Sequence, residues 1–441
     1  MILKKVGLVS LGWLLGLAAS AQTVSQVAAA DGFYQKVAVE SYAGLRYRIS
    51  ARIRVDTMQS GKADALLAAF VKKTDKRAGS FSYLHDKAVT NEWKIYTIAG
   101  KLDKEADTLT LYAGYSMNGR FAFDDFKLNV ERSRGDWQSV PLANASFDDT
   151  APLSADGLPA GWRQFARVAG FTRQLATDAS GNRLLAVQGQ GIIYYGRNPK
   201  AGHYVTVNGV KLYYEAYGQG EPLLLLHGNG ESISSFMQQI EALAKEYRVI
   251  AVDTRDQGQS GRTRGKLTYD LFADDMHALL DTLRIPAAHI VGWSDGGNTG
   301  LSMILRYPQQ VKSLVTMGAN LYADTTAVDA KTLKEVRQMY YLSAVAGPFN
   351  KQLKRAYRLS AMLLHYPQIK PAQLRAITAP VLVIAGEKDI IKEAHTRLIA
   401  QSILGGQVAI LPNLTHYAPQ ENGPLFNETV LNFLRQQRPA K

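Results

Sequence analysis

The sequence predicts a multidomain chain, an N-terminal all-β sandwich followed by an α/β domain with a mostly parallel sheet and a helical cap. Three patterns predict it. Apolar and polar residues alternate strictly in the first part of the chain, apolar runs of strand length alternate with helical stretches after Lys200, and a purely helical stretch interrupts that rhythm near residues 322–371. The 441-residue length leaves room for about three domains. With 46% apolar and 20% charged residues the composition is that of a globular protein, which excludes wholesale disorder and a multi-span membrane protein.

Residues 1–21 place Lys4 and Lys5 ahead of an apolar run from Val6 to Leu17, then Ala19, Ser20 and Ala21 before Gln22. This is the pattern of a secretory signal peptide, and about a dozen apolar residues fall short of the ~20 that span a bilayer. The expectation is an exported protein, periplasmic or extracellular, with no stable membrane span. The sequence has no cysteine, which excludes disulfides, thiolate metal sites, a cysteine nucleophile and a lipid carried on cysteine. Lysine and arginine total 51 against 38 acidic residues, a net charge of +13, yet no dense basic block or nucleic-acid motif occurs. The charge is read as a solvated surface, and no nucleic-acid partner is expected.

From Leu45 to Val55 apolar residues alternate with Arg46, Arg48, Ser50, Arg52 and Arg54, a strand with one buried and one wet face. Strand-like runs follow at 80–84, 93–98, 108–113 and 121–130, separated by turn residues, so residues 33–131 read as an antiparallel sandwich. In the last run the apolar phase changes between Phe123 and Phe126, which predicts a bulge at Asp124 and Asp125. The run Phe-Ala-Phe-Asp-Asp-Phe-Lys-Leu resembles the closing strand of galactose-binding-like jelly rolls, a family that includes carbohydrate-binding modules. That resemblance implies a jelly roll and makes a glycan a candidate ligand of the N-terminal module. Residues 132–197, with Phe147, Gly161 and Trp162, read as a partial second β module, a structured linker, or a segment packed on the first module.

After Lys200 a hairpin is expected around Asn208-Gly209, a pair suited to a type I′ turn. Pro222 to Leu226, Val249 to Val252, Ile290 to Trp293 and Pro380 to Ile384 are continuous apolar runs, as strands buried on both faces require. Helical stretches lie between them, giving an α/β domain over 203–441 with an inserted helical cap over about 322–371.

Gly292-Trp293-Ser294-Asp295-Gly296 follows a buried strand and precedes a helix. A serine on such a turn is strained and exposed, and the flanking glycines let neighbouring backbones pass. A serine hydroxyl needs a base, and the base needs an orienting carboxylate. Asp389 ends the strand from Pro380, with Glu387 as its nearest rival, and His416 follows the next strand. The candidate triad is therefore Ser294, Asp389 and His416. Of the eight histidines, His227 belongs to His227-Gly228-Asn229-Gly230 and is expected to orient that loop. The backbone N–H groups of Asn229 and Asp295 are the candidate oxyanion hole. A carboxylate beside an oxyanion hole repels the developing charge unless a cation neutralises it, which makes Asp295 a candidate substrate contact.

These motifs, with Val252-Asp253-Thr254-Arg255, Gly258 and Ser260, resemble the α/β-hydrolase superfamily over residues 203–441. Gly292 to Gly297 and Gly318 to Tyr322 are similar to its valacyclovir hydrolase (biphenyl hydrolase-like) branch. That resemblance implies that the acid beside the nucleophile, here Asp295, receives the ammonium group of α-amino acid esters. Asp256 departs from the pattern, standing where many relatives carry glycine.

The leading expectation is a secreted serine hydrolase that cleaves small esters, α-amino acid esters among them, through an acyl-enzyme and without cofactor or metal. Lactonase, aminopeptidase, thioesterase and carbon–carbon hydrolase activities stay open on the same triad. The alternative of another class is a glycan-binding or surface-interaction protein whose hydrolase domain is secondary or silent.

Overall fold

The structure, a computed structural model, describes residues 30–57, 63–74, 78–83, 88, 90–149, 152–155, 157–164, 170–347 and 350–437. The expected signal peptide at 1–21 lies outside the described residues. The chain divides into two compact units, one of Ala29–Ile193 and one containing Tyr194 onward.

The N-terminal unit consists of antiparallel strands β1 (Ala30–Ala38), β2 (Arg46–Asp56), β3 (Asp64–Lys73), β4 (Ala78–Tyr83), β5 (Lys94–Lys101), β6 (Ala106–Ser116), β7 (Gly119–Ser133), β8 (Asp136–Val140), β9 (Arg163–Gln164), β10 (Phe171–Thr177) and β11 (Arg183–Gly189). One sheet has the order β4-β3-β6-β1-β9 and the other β10-β11-β7-β2-β5, with β8 alongside β7. Along β2 the alternation has its expected consequence: Tyr47, Ile49, Ala51, Ile53 and Val55 are fully buried while the arginines stay on the other face. The two sheets share one core, in which Phe33 of β1 meets Phe123 of β7 edge to face at 5.1 Å. The bulge falls at Asp125, whose φ is +50°, opposite a register shift between Ser50 and Arg52. Protein groups occupy Asp124 there: it accepts from Asn182 Nδ2 at 2.6 Å and Arg52 Nη1 at 3.3 Å.

The described residues between 132 and 193 belong to the same compact unit as the first strands. β8 extends β7, β9 pairs with β1, and the β10–β11 hairpin adds to β7 through Leu185 opposite Phe123. The physical reason is a shared interior. Phe147, Leu158, Trp162, Leu185 and Val187 complete the core begun by the earlier strands, and the buried carboxylate of Asp31 on β1 is paired with Arg173 of β10 and accepts from Gln164 Nε2 of β9 at 3.1 Å. A buried charge must be compensated, so β1 is complete only when β9 and β10 are in place.

The second unit has the sheet order β12-β13-β15-β14-β16-β17-β18-β19, built from β12 (Gly202–Val207), β13 (Val210–Tyr217), β14 (Pro222–Leu226), β15 (Arg248–Asp253), β16 (Ala288–Trp293), β17 (Val311–Met317), β18 (Val381–Lys388) and β19 (Gln407–Thr415). The first two form a hairpin whose turn residues Asn208 and Gly209 both have positive φ, +45° and +71°. From β15 to β19 every pairing is parallel. Helices α1 (Met237–Ala244), α2 (Tyr269–Thr282), α3 (Asp295–Arg306), α4 (Ala330–Ala346), α5 (Lys351–His365), α6 (Glu393–Gln401) and α7 (Gly423–Gln436) accompany the sheet. Two separate apolar clusters cover it, Leu224 and Ile290 belonging to one and Leu223 and Val291 to the other, as alternating side chains of a doubly covered strand must. The helices α4 and α5 fall between β17 and β18, where the cap is expected. Tyr340 and Tyr357 stack between them with centroids 5.0 Å apart, and Leu359 and Met362 of α5 pack against Tyr269 and Phe272 of α2. Among the described residues no helix is long and apolar enough to cross a membrane.

Trp162 tests the integration of the later strands directly. Its ring lies 5.1 Å from Phe33 and 4.8 Å from Phe126. Trp162→Ala should destabilise the N-terminal unit by about 3–5 kcal/mol in urea unfolding; a change below about 1 kcal/mol would show that this segment folds independently of the first strands.

Candidate active site

β16 runs into α3 through Ser294, which is held at φ +55° and ψ −115°. The glycines on either side make this turn sterically possible. A Cβ on Gly292 would stand 2.2 Å from the Gly296 carbonyl oxygen, and one on Gly296 would stand 2.0 Å from that of Leu226. The Ser294 N–H donates to Met317 O at 2.7 Å, which ties the turn to β17.

The distant residues selected by chain order meet at this turn. His416 Nε2 is 3.0 Å from Ser294 Oγ, and His416 Nδ1 is 2.7 Å from Asp389 Oδ1. An ionised carboxylate only accepts, so Nδ1 carries the ring proton and Nε2 is free to accept from the serine hydroxyl. The His416 side chain is 8% exposed and that of Asp389 fully buried. Asp389 is fixed by the Ile391 N–H at 2.9 Å, and the loop of His416 by Trp293 Nε1, which donates to the His416 carbonyl at 2.8 Å. Glu387, the rival carboxylate, accepts from the Asn413 N–H at 2.7 Å and serves the neighbouring turn.

Asn229 and Asp295 are joined directly: Asn229 Nδ2 donates to Asp295 Oδ2 at 2.7 Å. As the first residue of α3, Asp295 has a backbone N–H with no partner inside the helix. His227 holds the loop from below. Its Nε2 accepts from the Thr254 N–H at 3.1 Å, which leaves the proton on Nδ1 for the Gly228 carbonyl at 2.8 Å. Burial pushes the His227 imidazole down to about 4, so it stays neutral in this role.

Tyr269 and Glu231 shape the site and carry no sequence signal of their own, whereas Asp253 belongs to a motif the sequence already shows. Tyr269 donates its hydroxyl to Asp295 Oδ1 at 2.7 Å. Glu231 lies beside the nucleophile: its Oε2 and Ser294 Cβ are 3.5 and 3.3 Å from the point a Cβ on Gly228 would occupy. Asp253 accepts from the Ile233 N–H at 2.8 Å and the Gln259 N–H at 2.6 Å, and a Cβ on Gly258, at φ +53°, would fall 2.0 Å from its carboxylate. That close approach explains the spacing of Asp253 and Gly258. No group of three metal-ligating side chains occurs among the described residues.

Residues 221–368 match the alpha/beta hydrolase fold family. A 2-hydroxy-6-oxononadienedioate/2-hydroxy-6-oxononatrienedioate hydrolase from Burkholderia vietnamiensis is 30% identical over 266 residues, which cover 51% of this chain and 91% of the relative. The chain belongs to the alpha/beta hydrolase fold family. Serine hydrolase BPHL from Mus musculus is 28% identical over 253 residues, covering 52% of this chain and 85% of that protein. A putative carbamate hydrolase, RutD, from Azorhizobium caulinodans is 28% identical over 256 residues, covering 50% and 94%. This alpha/beta hydrolase is an enzyme, and its N-terminal unit of strands lies outside the matched family region.

Burial raises three carboxyls of this region, Asp295 to about 6 and Glu231 and Asp253 to about 7. Each holds its proton more tightly folded than unfolded, so the stability each contributes is complete below the ordinary carboxylate range. It is lost as pH rises through about 6 for Asp295 and about 7 for the others. Asp295→Asn should therefore flatten the fall of the unfolding midpoint with pH up to about 6, measured in urea at a series of pH values. An unchanged slope would contradict the buried-carboxyl assignment.

Proposed function

We propose that this hydrolase is an exported serine esterase that cleaves small carboxylic esters, α-amino acid esters in particular, through an acyl-enzyme. The observation that carries the reading is the continuous hydrogen-bonded line from Ser294 Oγ through His416 to Asp389, at 3.0 and 2.7 Å. In the forward step Ser294 Oγ bonds to the ester carbonyl carbon while its proton passes to His416 Nε2. Asp389 stabilises the imidazolium through Nδ1–H, and the N–H groups of Asn229 and Asp295 stabilise the oxyanion. Collapse breaks the acyl–oxygen bond, and the proton on Nε2 leaves with the alcohol. Water, deprotonated by the same nitrogen, releases the acid and restores Ser294.

Asp295 supports the amino acid preference. Its side-chain partners, Tyr269 and Asn229, are neutral, and the residue is 2% exposed. A buried carboxylate without a cation is unstable, and a substrate ammonium group would supply one. The charged n-region, apolar run and small residues of 1–21 support export. The names of the relatives extend the reading to other acyl compounds, since one is named a putative carbamate hydrolase and another a 2-hydroxy-6-oxononadienedioate/2-hydroxy-6-oxononatrienedioate hydrolase.

Two measurements check this. A fluorophosphonate probe should label the wild-type chain and leave Ser294→Ala unlabelled, with ester hydrolysis falling by at least about 10³-fold. Absence of label on the folded wild type would favour a silent hydrolase domain. An aminoacyl p-nitrophenyl ester should react at least about 10-fold faster than its N-acetyl form. Asp295→Asn should remove most of that difference, and equal wild-type rates would eliminate the ammonium contact.

A further inference from the structure

Position 256 has φ +67°, the left-handed region that favours glycine, yet it holds aspartate. A non-glycine residue there costs about 1 kcal/mol or more, so the side chain must return something. Asp256 Oδ1 accepts from the Thr263 N–H at 2.9 Å, and Oδ2 is paired with Arg358 on the cap helix α5. Arg358 also donates to the carbonyls of Thr263 at 2.6 Å and Gly265 at 3.1 Å. The Asp256 side chain is 2% exposed and that of Arg358 14%, so this clamp is largely shielded from water and salt.

The next residue reaches the loop beside the nucleophile. Gln257 Oε1 accepts the Gly230 N–H at 2.5 Å, while its Nε2 donates to Thr254 Oγ1 at 2.8 Å. Thr254 in turn donates its N–H to His227. Residues 254–257 therefore hold both ends of the loop His227-Gly228-Asn229-Gly230. Gln257 thereby takes up the Gly230 N–H, next to the Asn229 N–H read as a donor to the oxyanion. One short segment thus touches the cap on one side and the oxyanion loop on the other.

We propose that Gln257 is a positioning residue for the oxyanion hole, and that the Asp256–Arg358 pair couples the seating of the cap to it. This rests on the reading of Asn229 and Asp295 as the hole. Its consequence is that loosening α5 slows the chemical step. A cap that only covers substrate would change KM instead.

The test uses the full chain with p-nitrophenyl acetate. Gln257→Ala should lower kcat by up to about 100-fold, approaching the loss of one oxyanion donor. Asp256→Gly relieves the strained backbone and keeps the fold, and Arg358→Gln removes the other partner. Each should lower kcat by about 10-fold with KM within about threefold of wild type. The double variant should be no slower than the worse single one, because both remove the same interaction. Asp256→Asn, which can still accept from Thr263 and Arg358, should recover most of the rate. Unchanged kcat with a raised KM, or losses that add in the double variant, would overturn the coupling while leaving the esterase reading intact. A wild type that neither hydrolyses ester nor takes the fluorophosphonate label would overturn both.

Discussion

A serine forced into the left-handed region, with the backbones of two neighbouring segments pressed against the glycines beside it, is the constraint on which this site depends. Ser294 at φ +55° directs its hydroxyl off the end of β16 because Gly292 and Gly296 have no Cβ to obstruct the crossing. A conformation of that kind costs of order 1–3 kcal/mol and persists only if surrounding structure over-determines it. Here the determinants are the parallel strands on both sides: β14 meets Gly296, and β17 receives the Ser294 N–H. Strands buried on both faces give the rigidity on which a 3 Å contact with His416, 122 residues away in sequence, relies.

Around that turn the protein concentrates carboxyl groups. Asp295 and Glu231 lie close to where negative charge would develop, and burial keeps both above the ordinary carboxylate range. Such a field disfavours an oxyanion unless protons or a bound cation offset it. The hydrogen-bond geometry limits the damage. Asn229 spans from the oxyanion loop to Asp295, and Tyr269 donates from α2 on the other side, so the Asp295 carboxylate is directed into neutral donors. The same arrangement would distinguish a positively charged substrate from its neutral analogue.

Much of this was legible in the sequence where the signal was local or repeated. The period of two on β2, the Asn208-Gly209 turn and the glycine spacing around Ser294 each follow from short-range sterics, and the bulge at Asp125 follows from a phase change a few residues long. Chain order led to Asp389 and His416, since a carboxylate and an imidazole at successive strand ends share one rim of a parallel sheet. Less legible were contacts made by ordinary residues through tertiary placement. Tyr269 looks like a core aromatic, Gln257 like a turn residue and Arg358 like one charge of a solvated helix. The segment after residue 132 has short strands with weak periodicity, so its membership in the first core shows through tertiary contacts such as those of Asp31, Arg173 and Trp162. The departure at Asp256 was visible, whereas its partner across the cap was not.

The most direct measurement is a crystal structure of the chain reacted with an aryl phosphonate ester, which leaves a tetrahedral adduct resembling the proposed intermediate. Phosphorus should be bonded to Ser294 Oγ, with one phosphoryl oxygen about 3 Å from the backbone N–H groups of both Asn229 and Asp295 and His416 still hydrogen-bonded to Asp389. A phosphoryl oxygen directed to other donors, or an adduct on another residue, would contradict it.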